Sequence, residues 1–140
     1  ETAAGCSVTD YFARFGEAAF RDGERKVMAR LLAAPPQVIA AGGGAFIDEG
    51  TRAEIEAHGV SIWLKASLEV LIARTKGRNH RPLLNQGDPA QTLAKLMDQR
   101  YPVYALADIT VETVNNPPEV TCEAVLTALK SHSAQKGVAA

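Results

Sequence analysis

Three consecutive glycines, Gly42 to Gly44, lie within the stretch VIAAGGGAF. Without Cβ atoms they permit positive φ and let backbone N–H groups come close to a ligand. A run of β-formers entering glycines is how a phosphate-cradling loop begins, but no Lys-[Ser/Thr] pair follows here. A tight strand-to-helix turn explains one such glycine; three in a row favour ligand approach without naming the ligand. Arginines offer the complementary chemistry. Arg21 in GEAAFRDGE and Arg100 in LMDQR each read, taken alone, as solvated helix positions. Arg74, Lys76, Arg78, His80 and Arg81 gather within eight residues. They are either a solvated polar loop or a lid closing on phosphates, because guanidinium forks stabilise transferring phosphoryl oxygens. The length of this loop favours the lid.

Other chemistries find little support. His58, His80 and His132 lack zinc-site spacing, and no nucleophile elbow accompanies a serine. Cys6 and Cys122 read as reduced, small apolar residues. A formal charge of −1 gives no general attraction to nucleic acid. Tyr11, Phe12, Phe15 and Phe20 are expected in a core, not on a base-stacking platform. No apolar run approaches the ~18 residues of a membrane span. A soluble, cytoplasmic domain of 140 residues with 46% apolar content is the expectation.

The elements that must position these groups alternate along the chain. Ser7 and Asp10 open a helix ending near Gly16, and a second helix spans about 17–33, stopped by Pro35 and Pro36. QVIAA reads as a short strand entering the glycines. Thr51-x-x-Glu54 forms a capping box for a helix ending at His58-Gly59. Residues 60–66 suit a strand covered on both faces. Ser67 caps a helix to about Thr75, a polar loop follows, and Asp88-Pro89-x-Gln91 starts a helix that bends or restarts at Pro102. A third strand covers 108–113, and a last helix spans about 119–131, with a flexible tail over 133–140. Strands alternating with helices predict a parallel α/β sheet. Three strands are few for so many amphipathic helices, which implies a further N-terminal strand.

GEAAFRDGE, VIAAGGGAF, RPLL (Arg81 to Leu84) and Arg100-x-Pro102-x-Tyr104, in that order and at those separations, resemble the shikimate kinases from Glu1 to about Pro118. The resemblance implies a three-layer α/β/α parallel sheet of the P-loop nucleoside-monophosphate-kinase type. It also implies transfer of the ATP γ-phosphate to the 3-hydroxyl of shikimate, in aromatic amino-acid biosynthesis. The whole of 1–140 would be one partial kinase domain, with substrate-binding helices over about 1–33 and a lid over about 76–89. Arg21 and Arg100 would grip the shikimate carboxylate, with Glu24 orienting Arg21. Gly43, with Gly42 and Gly44, would meet shikimate through backbone groups, and Phe12 and Phe20 would line its pocket. Arg81 would reach the ATP phosphates and so act in catalysis; Arg74 and Asn116 would lie near the adenine. Paired guanidinium groups suit a small anionic polyol. The family's habit is monomeric, with no nucleic-acid or membrane partner.

The family's G-x-x-x-x-G-K-[ST] loop does not occur in the chain. The expectation is therefore a longer protein, whose additional portion, roughly 30 residues or more, supplies the phosphate lysine and the Mg²⁺ ligands. Residues 1–140 themselves would contribute none. A true truncation would lack kinase activity. Two alternatives stay open: a non-catalytic, shikimate-kinase-like binding or regulatory protein, and a P-loop kinase for another small carboxylated alcohol.

Overall fold

The computed structural model describes residues 4–75 and 88–139. They form two compact units, one running up to Gly59 and the other beginning at Val60.

In the first unit, Ser7 accepts a hydrogen bond from the Asp10 N–H at 3.1 Å and starts α1, Val8–Ala33. Gly16 interrupts the helix with φ 81° and ψ 175°, a conformation that a Cβ would strain. The sequence break expected there is thus a kink between two helical segments. The second segment buries Met28 and supports Arg21, Glu24 and Arg25. Helix α2, Glu49–His58, packs against α1. Its cap is Asp48, not the expected Thr51: the Asp48 carboxylate accepts from the Thr51 N–H at 2.9 Å and the Thr51 hydroxyl at 3.0 Å. Thr51 is fully buried inside the first turn, so its hydroxyl serves the cap from within the helix.

Residues 37–41 do not form the expected strand. Val38 is 99% exposed, and no ladder joins this segment to another among the described residues. A β-former becomes a strand only when a neighbour accepts its hydrogen bonds. Phe15 also departs from the core assignment, being 59% exposed.

The second unit holds a parallel pair, β1 (Ile62–Ala66) and β2 (Ile109–Thr113), in register from Ile62 opposite Ile109 to Ala66 opposite Thr113. A reciprocal lock sets the entry to both strands. The Ser61 N–H donates to Asp108 Oδ2 at 2.9 Å, while the Asp108 N–H donates to Ser61 Oγ at 2.9 Å. β2 alternates, burying Ile109, Val111 and Thr113, and α5 packs on it. β1 is not covered on both faces among the described residues, since Leu64 is half-exposed.

Parallel strands need a crossover, and α3 (Leu68–Thr75) and α4 (Pro89–Tyr104) pack together between β1 and β2 in the sequence. Ser67 and Asp88 are their respective capping residues, as the sequence indicates. α4 continues two residues past Pro102 instead of restarting there. Tyr101, near its end, donates from its hydroxyl to the Ala66 carbonyl at 2.5 Å and stacks edge-on against Trp63. Helix α5 spans Pro118–Ala139, beyond the 131 expected from the sequence.

Candidate acceptor site on the first unit

Helical periodicity places Arg21, Glu24 and Arg25 on one side of α1, because residues three and four apart are neighbours on a helix. Arg21 Nη1 donates to Glu24 Oε1 at 2.7 Å, and Glu17 lies 3.8 Å from Nη2. The guanidinium sits over the Phe20 ring, 5.0 Å from its centroid, and 6.0 Å from that of Phe12. Phe12 and Phe20 in turn touch, with ring centroids 4.6 Å apart. The aromatic faces and Glu24 restrict the guanidinium to one orientation without neutralising all its donors.

That orientation leads to the glycines. A Cβ built on Gly44 would fall among the guanidinium atoms, 2.6 Å from Nη1. Gly44 therefore serves close approach, and not the positive φ that glycine also permits: among the described glycines only Gly5 and Gly16 have positive φ. Gly44 is buried, whereas Gly42 and Gly43 are exposed. The turn is closed by the Ala45 N–H donating to the Gly42 carbonyl at 3.1 Å. A cavity of about 520 Å³ borders it, with Phe20, Gly23, Glu24, Ile39, Gly42 and Ala45 among its walls. An oriented guanidinium beside an exposed backbone turn can bind a carboxylate or phosphate and present peptide groups to hydroxyls.

Two further residues anchor this turn, and neither is evident from the sequence. Arg25 grips Asp48 with a two-point fork, Nε to Oδ2 at 2.9 Å and Nη2 to Oδ1 at 2.7 Å. These bonds, and next the Thr51 N–H, hold the Asp48 carboxyl well below the usual carboxylate range. The same partner raises Arg25 above its ordinary value. The only local signal was an Asp three residues before a Thr at a helix start; a pairing across 23 positions has no sequence signature.

The other predicted residues fall elsewhere. Arg100 is half-buried on α4 in the second unit. Arg74 ends α3 there, donating to Thr113 Oγ1 at 3.1 Å and to the Val114 carbonyl at 2.7 Å. Asn116 is exposed in the turn after β2, where its N–H donates to the Val114 carbonyl at 2.8 Å. Arg74 and Asn116 thus share the Val114 carbonyl. Arg81, the RPLL stretch, and Lys76, Arg78 and His80 lie outside the described residues.

Mg²⁺ does not fit the described residues. No group of three His, Cys, Asp or Glu side chains among them could hold a metal ion, and Asp48 is committed to Arg25 and Thr51. Among the described residues, no helix is long and apolar enough to cross a membrane.

Comparison with known proteins gives a consistent picture. The family model described as Shikimate kinase matches residues 1–130. The shikimate kinase of Paramagnetospirillum magneticum is 60% identical over 129 residues, which cover 92% of this chain and 66% of that protein. The one from Caulobacter vibrioides is 52% identical over 130 residues, 93% of this chain and 65% of the relative. The chain thus spans slightly under two thirds of the length of these relatives. Among solved structures, shikimate kinase from Acinetobacter baumannii in complex with shikimate superposes with a TM-score of 0.89 at 30% identity, covering 94% of this chain and 74% of that one. The fold class is accordingly the three-layer α/β/α parallel sheet of the P-loop nucleoside-monophosphate kinases.

Proposed function

The chain belongs to the shikimate kinase family, and from that premise we propose that the protein it represents transfers the γ-phosphate of ATP to the 3-hydroxyl of shikimate. The observation that carries this reading is the Arg21 guanidinium, oriented by Glu24 and Phe20 and lying against the backbone of Gly44. Such a group takes the carboxylate of a small acceptor, while the exposed Gly42–Gly43 backbone meets its hydroxyls. Phe12 and Phe20 supply the apolar wall, which raises the strength of the charged contact by excluding water.

Phosphoryl transfer is chiefly a matter of positioning and charge stabilisation. This unit supplies positioning on the acceptor side. The family resemblance assigns Arg100 to the acceptor carboxylate, Arg81 to the ATP phosphates, and Arg74 and Asn116 to the neighbourhood of the adenine. Guanidinium chemistry suits the anionic partners in that list. ATP is the co-substrate; Mg²⁺, the ion the family implies, would take its ligands from beyond the described residues. A monomeric cytoplasmic enzyme without nucleic-acid or membrane partners is the setting this reading implies.

The test is a product analysis on the complete protein with ATP, Mg²⁺ and shikimate. ADP release dependent on shikimate, with shikimate 3-phosphate identified by mass spectrometry, is the expected result. Shikimate binding without ADP release points to a binding or regulatory protein. Turnover of another carboxylated alcohol in preference to shikimate reassigns the acceptor.

A further inference from the structure

Arg21 and Arg25 are one helical turn apart on α1, and both reach the segment 44–48 that continues the glycine turn. Arg21 lies against Gly44, and Arg25 forks onto Asp48. Gly50 leaves room for the second arginine: a Cβ there would sit 2.6 Å from Arg25 Nε. Between the two contacts, the Asp48 N–H donates to the Gly44 carbonyl at 3.4 Å. Arg52, from α2, donates to the Phe46 carbonyl at 2.9 Å. The Asp48 carboxylate accepts four hydrogen bonds, from Nε and Nη2 of Arg25 and from the N–H and hydroxyl of Thr51. One carboxylate therefore ties the start of α2 to the helix carrying Arg21.

We propose that Arg25 and Asp48 are positioning residues for the acceptor site: their ion pair sets the Gly42–Gly44 turn against the Arg21 guanidinium and so determines affinity for the carboxylated acceptor. This inference rests on the acceptor-site reading given above. Neither residue needs to touch the acceptor. Arg25 is paired to Asp48 through a fork whose geometry a single point charge does not reproduce. Displacing the turn separates two groups that must contact the same small molecule, and misplacements on the scale of ~1 Å are costly in such sites.

The experiment uses the complete protein with Arg25→Gln, Asp48→Asn, the double variant and Arg25→Lys. Asparagine is a good helix cap, so Asp48→Asn removes the ion pair while keeping the cap. Each single variant is expected to raise the KM for shikimate about five- to thirtyfold, the size of effect seen for members of one network. The double variant should be no worse than the worse single, Arg25→Lys should be intermediate, and the KM for ATP should stay within about twofold. A lowered melting temperature with unchanged KM for shikimate would show a purely structural pair and overturn the proposal. Equal rises in both KM values would also overturn it. Should the wild type fail to phosphorylate shikimate, the acceptor-site reading falls and this role with it. With an active wild type and unaffected variants, the positioning role alone falls.

Discussion

Gly44→Ala separates the site's chemistry from its stability. The new methyl would overlap Arg21 Nη2 and Cζ and stand 2.6 Å from Nη1, so the guanidinium must withdraw by more than ~1 Å before its nearest atom reaches an ordinary contact of 3.4 Å. It can do so, because it is the tip of a long side chain and not backbone. The backbone itself raises no objection, since Gly44 is not among the glycines with positive φ. Alanine should even gain about 0.4–1 kcal/mol by restricting the unfolded chain. Against that stands weakening of the Arg21–Glu24 pair, whose side chains are 17% and 18% exposed, worth about 0–1 kcal/mol. Net stability should therefore change by less than about 1 kcal/mol. Acceptor affinity should respond far more. A displaced guanidinium loses a charge-assisted hydrogen bond worth about 1.5–3 kcal/mol, which is about a 10- to 150-fold weaker shikimate Kd. Calorimetric titration of shikimate, paired with thermal unfolding of the same preparation, measures both quantities. Unchanged shikimate affinity refutes the reasoning, and so does a variant that unfolds, since the guanidinium would then be unable to yield.

Acid stability should carry the signature of Asp48. Its unfolded carboxyl takes up a proton near 3.8, the folded one only at lower pH, so in between the unfolded state binds more protons and stability falls as pH falls. The stability advantage of wild type over Asp48→Asn should be complete above about pH 5 and shrink progressively below pH ~4; urea midpoints showing a constant difference down to acid pH would contradict it. Tyr101→Phe should cost about 1–2 kcal/mol of stability by stripping the buried Ala66 residue's carbonyl of its hydroxyl donor. A denaturation midpoint equal to wild type would contradict that contribution.

Much of the local structure is legible because its causes are local. Ser7, Ser67 and Asp88 each cap the helix that follows within three residues, and Gly16 breaks α1 where its type permits positive φ. In the second unit β1 can be found from its apolar run and β2 from its alternation, and Arg21 with Glu24 from their helical spacing. The sequence points to a start for α2 three residues late, because Asp48 and Thr51 are both capping types and only their mutual hydrogen bond decides between them. Residues 37–41 carry β-formers but join no ladder among the described residues, because strand formation depends on a partner and not on the segment alone. Arg25 reads in the sequence as any charge on a helix, because its partner Asp48 is distant along the chain. The glycines were legible as a place of close approach; that the approaching group is the protein's own Arg21 was not.

The central claim is that the guanidinium over the glycine turn reads a carboxylate. Its most direct test compares shikimate with its methyl ester as acceptors for the complete protein and for Arg21→Ala, by calorimetric binding. The account predicts that wild type prefers the carboxylate by about 10- to 150-fold, and that Arg21→Ala loses most of that preference, keeping only what Arg100 supplies. A preference for shikimate that survives intact in Arg21→Ala would contradict it.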